Sequence, residues 1–310
     1  MDQKGEMLTG ILPVLPTPFD ENGDVDVQAM RGLVGFALKA NVDGIVFPGF
    51  ASEVSELSGE ERQLLLKTIA EETVGRVPIV AGASAATPSE VIAHGSYALS
   101  LGLHQIMVQS PVSVGNELGA VLAFLGEVVS ALPEIEIILQ NAPAPRGADL
   151  SPEVITGICN ELQQVAYVKE ETLPAGPAIS HLIENGPKTL KGVIGGGGGR
   201  FILDEYARGA CAAMPALEIV DLHVQMDQAW RAGSGEKARS LYVRTLPLLA
   251  LQSIYRMNLT KYVLQRRGIL TEIGTRAPTP EPDDFALHDI DQNLKELGLM
   301  LPNTKAGKAR

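Results

Sequence analysis

The sequence predicts an α/β fold: a (β/α)8 barrel, of the TIM type, followed by a C-terminal helical extension. Three observations carry this. Eight short β-rich runs are each separated from the next by a helix-sized segment. The runs are nearly continuous in apolar residues, as parallel strands buried on both faces are. The chain has 310 residues, 45% of them hydrophobic, enough for a barrel of roughly 250 residues with something added. A doubly wound open sheet is the structural alternative. It usually carries a glycine-rich first strand-to-helix turn, and this chain has PTPFDENG there.

In order, the expected strands are ILPVL (11–15), DGIVF (43–47), VPIVAG (77–82), QIMVQ (105–109), EIEIILQ (134–140), VAYVK (165–169), LKGVI (190–194) and ACAAM (210–214). Helical periods fill 26–40, the segment from SGEER, 88–101, 116–131, SPEVITGICNEL, 174–184 and FILDEYARG. Ser151 is an expected N-cap, with Pro152 at the first helical position. The barrel is expected over residues 1–232. Residues 233–310 form a Leu-rich helical region packed on it, with one helix over 283–299 and a polar, frayed end, PNTKAGKAR.

The net charge is 25 − 37 = −12. An acidic chain has no general attraction for nucleic acid or anionic membrane, so neither is an expected partner. Cys159 and Cys211 stand alone and read as buried, reduced residues of a cytoplasmic protein. The opening MDQKGEMLTG lacks a signal-peptide pattern, and no apolar run reaches ~18 residues. The five histidines show no HxH or HExxH spacing, so no catalytic metal is expected.

Barrel chemistry sits at the C-terminal ends of strands. The sixth run ends in Lys169, followed by Glu170 and Glu171. A neutral lysine amine there can attack a ketone and form a Schiff base, whose iminium is an electron sink. If the extended backbone continues, Glu171 points to the same side as Lys169 and Glu170 to the other. Spacing alone also fits a solvated strand end. The run GGGGGR (195–200) lacks phosphate-loop spacing and suits unusual backbone angles or a close approach. Ser52 and Glu53 read as site groups or as a loop cap. Gln140 and Asn141 end a buried strand, where an amide needs partners, in a site or in a structural network.

Taken together, these segments resemble the dihydrodipicolinate synthase/N-acetylneuraminate lyase family of class I aldolases. GILPVLPTPFDENGDVD looks like its opening, GFASEVSELSGEER its GTTGE segment, QNAPAPRGADLSPE its YNxPxRTGxxL segment, and VAYVKEET its Schiff-base strand. The resemblance covers roughly residues 8–300. It implies a barrel that is usually a homotetramer, no cofactor beyond a covalent imine with Lys169, and a small 2-oxo acid as substrate.

The departures narrow this. The family's two threonines are Phe50 and Ala51, its next glycine is Ser52, and the strand-5 tyrosine is Gln140. The arginine for a second carboxylate falls on Pro145, with Arg146 one place late, and the strand-4 tyrosines are replaced by PVS (111–113). These changes look like the 2-keto-3-deoxyarabonate dehydratase subgroup, matched at Ser52, Gln140, Ala142, Pro143, Lys169 and Glu171. The subgroup's aspartate after the glutamine is Asn141, and its Phe-Ser-Glu is Ala51-Ser52-Glu53. The resemblance assigns catalysis to Lys169, Glu171 and Ser52, and substrate binding to Ala51, Glu53, Gln140, Asn141 and Met214. Phe50 would restrict bulk if it faced the site. The reaction implied is dehydration of a 2-oxo-3-deoxy sugar acid. Retro-aldol cleavage, deamination of a pyrroline carboxylate and non-catalytic sensing of 2-oxo acids are the alternatives.

Overall fold

The computed structural model describes residue 5 and residues 7–300. The first four residues and the expected frayed end, 302–310, lie outside them.

Eight parallel strands form one sheet: β1 (Gly10–Ile11), β2 (Ile45–Phe47), β3 (Ile79–Gly82), β4 (Gln105–Gln109), β5 (Glu136–Asn141), β6 (Val165–Glu170), β7 (Gly192–Gly195) and β8 (Ala212–Ala213). The spatial order is β1-β8-β7-β6-β5-β4-β3-β2. Val14 bridges to both Val46 and Ala216. The amide of Leu15 donates to Val46 O at 3.1 Å and that of Val46 to Pro13 O at 3.0 Å. These bonds close the barrel, so the open-sheet alternative falls. The helices between strands are α1 (Val27–Lys39), α2 (Gly59–Thr73), α3 (Pro88–Ser100), α4 (Leu118–Ala131), α5 (Pro152–Glu161), α6 (Ala175–Asn185) and α7 (Ile202–Ala207). Ser151 caps α5 as expected, accepting from Val154 N at 3.3 Å.

Two apolar layers hold the strands. Inside the barrel, Leu12, Val46, Val80, Met107, Ile138 and Ile194 fill the axis. Between sheet and helices lie Ile45, Ile106, Val108, Leu139, Val168 and Val193. The alternation is broken once. Ile137 pairs with Val165, but Ile138 pairs with Tyr167, so β6 carries an extra residue. Ala166 and Tyr167 both join the interior cluster, whereas Val165 and Val168 face the helices. Such a bulge shifts side-chain phase by one residue. It turns Lys169 inward.

After α8 (Val220–Arg231) come α9 (Gly235–Arg266) and α10 (Asp284–Leu297). Leu222, Leu248, Leu249, Leu259, Val263 and Ile290 knit these three together. The segment between α9 and α10 returns to the barrel mouth. There Glu53, just after β2, accepts from the amides of Arg276 at 2.6 Å and Ala277 at 2.7 Å. Its other oxygen lies 2.7 Å from Lys261 Nζ, with both side chains 0% exposed. The Arg276 guanidinium adds Glu61 and Gly23 O, at 2.7 and 2.9 Å. No helix among the described residues is long and apolar enough to cross a membrane.

A buried charge stripped of its partner typically costs about 3–5 kcal/mol. Lys261→Met should therefore lower unfolding stability by about that much in a urea titration. Adding Glu53→Gln should recover part of the loss. A Lys261→Met protein of unchanged stability would remove the pair from its clamping role.

Candidate active site

Parallel pairing sets Gln140 against Lys169 and Asn141 against Glu170. Period-two alternation then separates two sets of side chains. Lys169 is 4% exposed, and its Nζ lies 3.4 Å from Glu171 Oε2. Gln140 Nε2 donates to that same oxygen. The amide of Gly197 donates to Oε1 at 3.2 Å, and Arg146 Nη2 stands 3.8 Å from Oε2. Burial pushes the Glu171 carboxyl upward. The charges of Lys169 and Arg146, with the bonds from Gln140 and Gly197, outweigh it and bring Glu171 down to about 2. Glu171 is thus a carboxylate at neutral pH, held by four groups and able to accept a proton.

The outward set is structural. Asn141 Nδ2 donates to Glu170 Oε2 and to Leu150 O, both at 3.0 Å, and Leu150 N donates back to Asn141 Oδ1 at 2.9 Å. Thr172 N donates to Glu170 Oε1 at 2.7 Å. Burial lifts Glu170 to about 7 against those bonds. Asn141, expected on the substrate, therefore pins the strand-5 loop from outside the barrel, because it follows Gln140 by one residue.

Two further expectations change. The Ser52 hydroxyl donates to Leu15 O at 2.5 Å and accepts from Gly49 N at 2.9 Å, with the residue fully buried. Its one proton is committed to backbone, so the structure does not bring Ser52 into the chemistry. It caps the short turn Phe50–Ser52 instead. Glu53 adopts a left-handed backbone, φ 57°, which aims its carboxylate at Lys261 and the returning segment. It is a clamp, not a substrate ligand.

The cleft above Lys169 is narrow, with a volume of about 70 Å³, and Ala51 and Met214 line it as expected. Phe50 also lines it and is 40% exposed. The glycine run shapes its floor. Gly197, Gly198 and Gly199 all have positive φ, and a Cβ on Gly196 would sit 2.4 Å from Glu171 Cγ. The run therefore makes room for the acid, and its amide donor serves Glu171. On the far side of this turn, burial raises Glu205 to about 8.

Sequence reasoning missed the cations and the α9 residues. Arg146, Arg200, Gln252, Arg256 and Met257 all line the cleft. The helical region is thus part of the wall and not only an appendix. Arg146 carried a faint signal, one place from the family's arginine. Arg200 ends the glycine run that was weighed as a phosphate loop, and Arg256 carried no signal.

The Dihydrodipicolinate synthetase family matches residues 7–297. A chain called L-2-keto-3-deoxyarabonate dehydratase from Azospirillum brasilense is 30% identical over 283 residues, covering 89% of this chain and 91% of that one. A 4-hydroxy-tetrahydrodipicolinate synthase from Methanopyrus kandleri is 27% identical over 300 residues, covering 96% and 98%. Among solved structures, the dihydrodipicolinate synthase of Rhodopseudomonas palustris superposes with a TM-score of 0.85 at 22% identity, covering 93% of this chain and 97% of its own. A putative dihydrodipicolinate synthetase from Pseudomonas aeruginosa gives 0.83 at 26%, covering 94% and 100%.

The raised carboxyls fix the sign of a pH effect. Between the ordinary value of 4.5 and about 7 for Glu170 or about 8 for Glu205, the folded chain keeps protons that the unfolded chain releases. Stability therefore falls as pH rises through that window. Glu171, lowered to about 2, acts oppositely and loses its contribution as pH falls from 4.5 toward 2. Thermal midpoints should fall from pH 5 to pH 9, and Glu205→Gln should flatten that fall. Parallel curves for the two proteins would contradict the raised value of Glu205.

Proposed function

Since this chain belongs to the dihydrodipicolinate synthetase family and is one of its Schiff-base lyases, we propose that it removes water from a 2-oxo-3-deoxy sugar acid held as an imine on Lys169. The observation that carries this reading is the ionised Glu171 carboxylate 3.4 Å from Lys169 Nζ. The partner of that carboxylate from β5 is the amide of Gln140, and an amide cannot accept the proton that carbon–carbon cleavage must remove. The name of the Azospirillum relative supports dehydration as well.

The steps balance as follows. The Lys169 nitrogen, after releasing one proton, attacks carbon 2; that proton and a second from the nitrogen leave with the carbonyl oxygen as water, giving an iminium. Glu171 takes a proton from carbon 3 as electrons move toward the iminium nitrogen, forming an enamine. The enamine pushes out the carbon-4 hydroxyl, which receives that proton from Glu171 and departs as water. For an acid ending in a hydroxymethyl group, the conjugated iminium then loses a proton at carbon 5 and gains one at carbon 3, the resulting carbon-4/carbon-5 enol ketonises to an aldehyde, and hydrolysis of the iminium frees the lysine. One water enters and two leave, a net loss of one. Gln140 keeps Glu171 in place through the cycle. The α9 residues complete the pocket, so residues 233–310 belong to the same working unit in this reading. The homotetramer implied by the resemblance is part of the proposal and is read by sedimentation velocity.

A positioned general acid–base typically contributes about 10²–10⁴ in rate. Glu171→Gln should lose at least that order in kcat while still forming the imine. Lys169→Ala should trap no 2-oxo acid under borohydride, as judged by intact mass. A near-normal rate in Glu171→Gln would remove Glu171 from the mechanism.

Incubation with L-2-keto-3-deoxyarabonate separates the reactions. A coupled semialdehyde dehydrogenase should report 2-oxoglutarate semialdehyde, and a coupled lactate dehydrogenase should report no pyruvate. Pyruvate alone would make the protein an aldolase. Neither product would point to other 2-oxo acids, to pyrrolines or to a sensor.

A further inference from the structure

The cleft holds more positive charge than the imine chemistry uses. Lys169, Arg146, Arg200 and Arg256 line it, and Glu171 is the acid that lines it with them. Glu171 is already engaged by Lys169 and Gln140. In a chain of net charge −12, this is a local reversal of sign.

Arg146 stands 3.8 Å from the Glu171 carboxylate, whereas Arg200 and Arg256 are held by other groups. The Phe50 ring lies between two guanidiniums, with Arg146 5.0 Å and Arg256 5.1 Å from its centroid. Arg200 donates to Gln252 Oε1 at 2.8 Å. Burial, and then the Arg256 charge, pull Arg200 below its ordinary value; Arg146 adds to this, while Glu218 and Glu171 oppose it. These cations are thus close enough to repel one another. Among the described residues, Arg256 forms no ion pair with an acid. It also interrupts α9 with φ 47° and ψ −118°, a conformation uncommon for a residue with a side chain. The helix breaks where Arg256 meets Phe50. Like charges gathered in a cleft without matching acids create a field that draws an anion.

We propose that Arg200 and Arg256 form a subsite for a second carboxylate at the far end of the substrate, so that the preferred acid is a sugar-derived 2-oxo dicarboxylate and not one ending in a neutral hydroxymethyl group. The inference rests on the imine reading above and narrows its substrate. Carboxylates bind guanidinium through paired, charge-assisted hydrogen bonds, and Arg200 from the β7 turn and Arg256 from α9 approach the cleft from different elements.

The test uses two five-carbon acids, 2-oxoglutarate and 2-oxopentanoate, which differ in the terminal carboxylate. Calorimetric titration of the full chain should give 2-oxoglutarate at least tenfold the affinity of 2-oxopentanoate. In Arg256→Met, and separately in Arg200→Gln, that ratio should fall toward one. Equal affinities in the unsubstituted protein would overturn the subsite. So would a ratio that survives both substitutions, or an equal weakening of both acids, which would place the arginines on the carboxylate beside the ketone. Borohydride trapping in the same samples reports the Schiff base separately. If nothing is trapped, the lyase reading fails, and the calorimetric ratio still judges the subsite.

Discussion

One extra residue in β6 decides what this barrel can do. The register step between Ile137 and Ile138 puts Ala166 and Tyr167 on the same interior side. Everything after it is rephased. Without the step, strict alternation from the outward Val165 would turn Lys169 toward the helices and Glu170 toward the axis. With it, Lys169, Glu171 and Gln140 converge at the mouth, while Glu170 and Asn141 tie down the loop behind them. The cleft-facing carboxyl of Glu171 and the loop-tying carboxyl of Glu170 are adjacent in sequence but lie in separate environments. Their proton affinities part accordingly, to about 2 and about 7.

The convergence depends on the neighbouring strand end. Glu171 packs where Gly196 has no side chain, and the next amide donates to it. A bulkier turn after β7 would displace the acid from the lysine. The glycines therefore allow the close approach of the carboxylate, one of the two uses their composition suggested.

The C-terminal helices act on the same mouth from outside. Glu53, one residue beyond the Phe50–Ser52 turn, is bound at once by Lys261 of α9 and by two amides of the segment that follows it. Fully buried, this carboxylate needs both kinds of partner to offset lost hydration. The clamp couples the position of Phe50 and Ala51 to that of α9, which supplies Gln252, Arg256 and Met257 to the wall. The cleft is therefore shaped jointly by barrel loops and by a helix distant in sequence.

The alternation of eight apolar runs with helical periods was enough to predict the barrel, because parallel strands buried on both faces must be apolar throughout. The motif order was enough for the family and for Lys169, and period-two geometry correctly placed Glu171 beside it. The same local reasoning misplaced Ser52, Glu53 and Asn141. Each lies at a barrel strand end or in the turn after it, but its polar atoms bond backbone, a neighbouring carboxylate or a distant cation, and which partner lies nearby is a property of packing. Arg256 was silent for the same reason. Nothing within α9 says that it breaks at Arg256 against a loop some two hundred positions earlier in the chain. Local pattern determined the fold, the family and the lysine. The inward phase of β6, the fixed carboxylate and the charge of the cleft arise only when strands pair and α9 docks, because they depend on contacts between residues far apart in sequence.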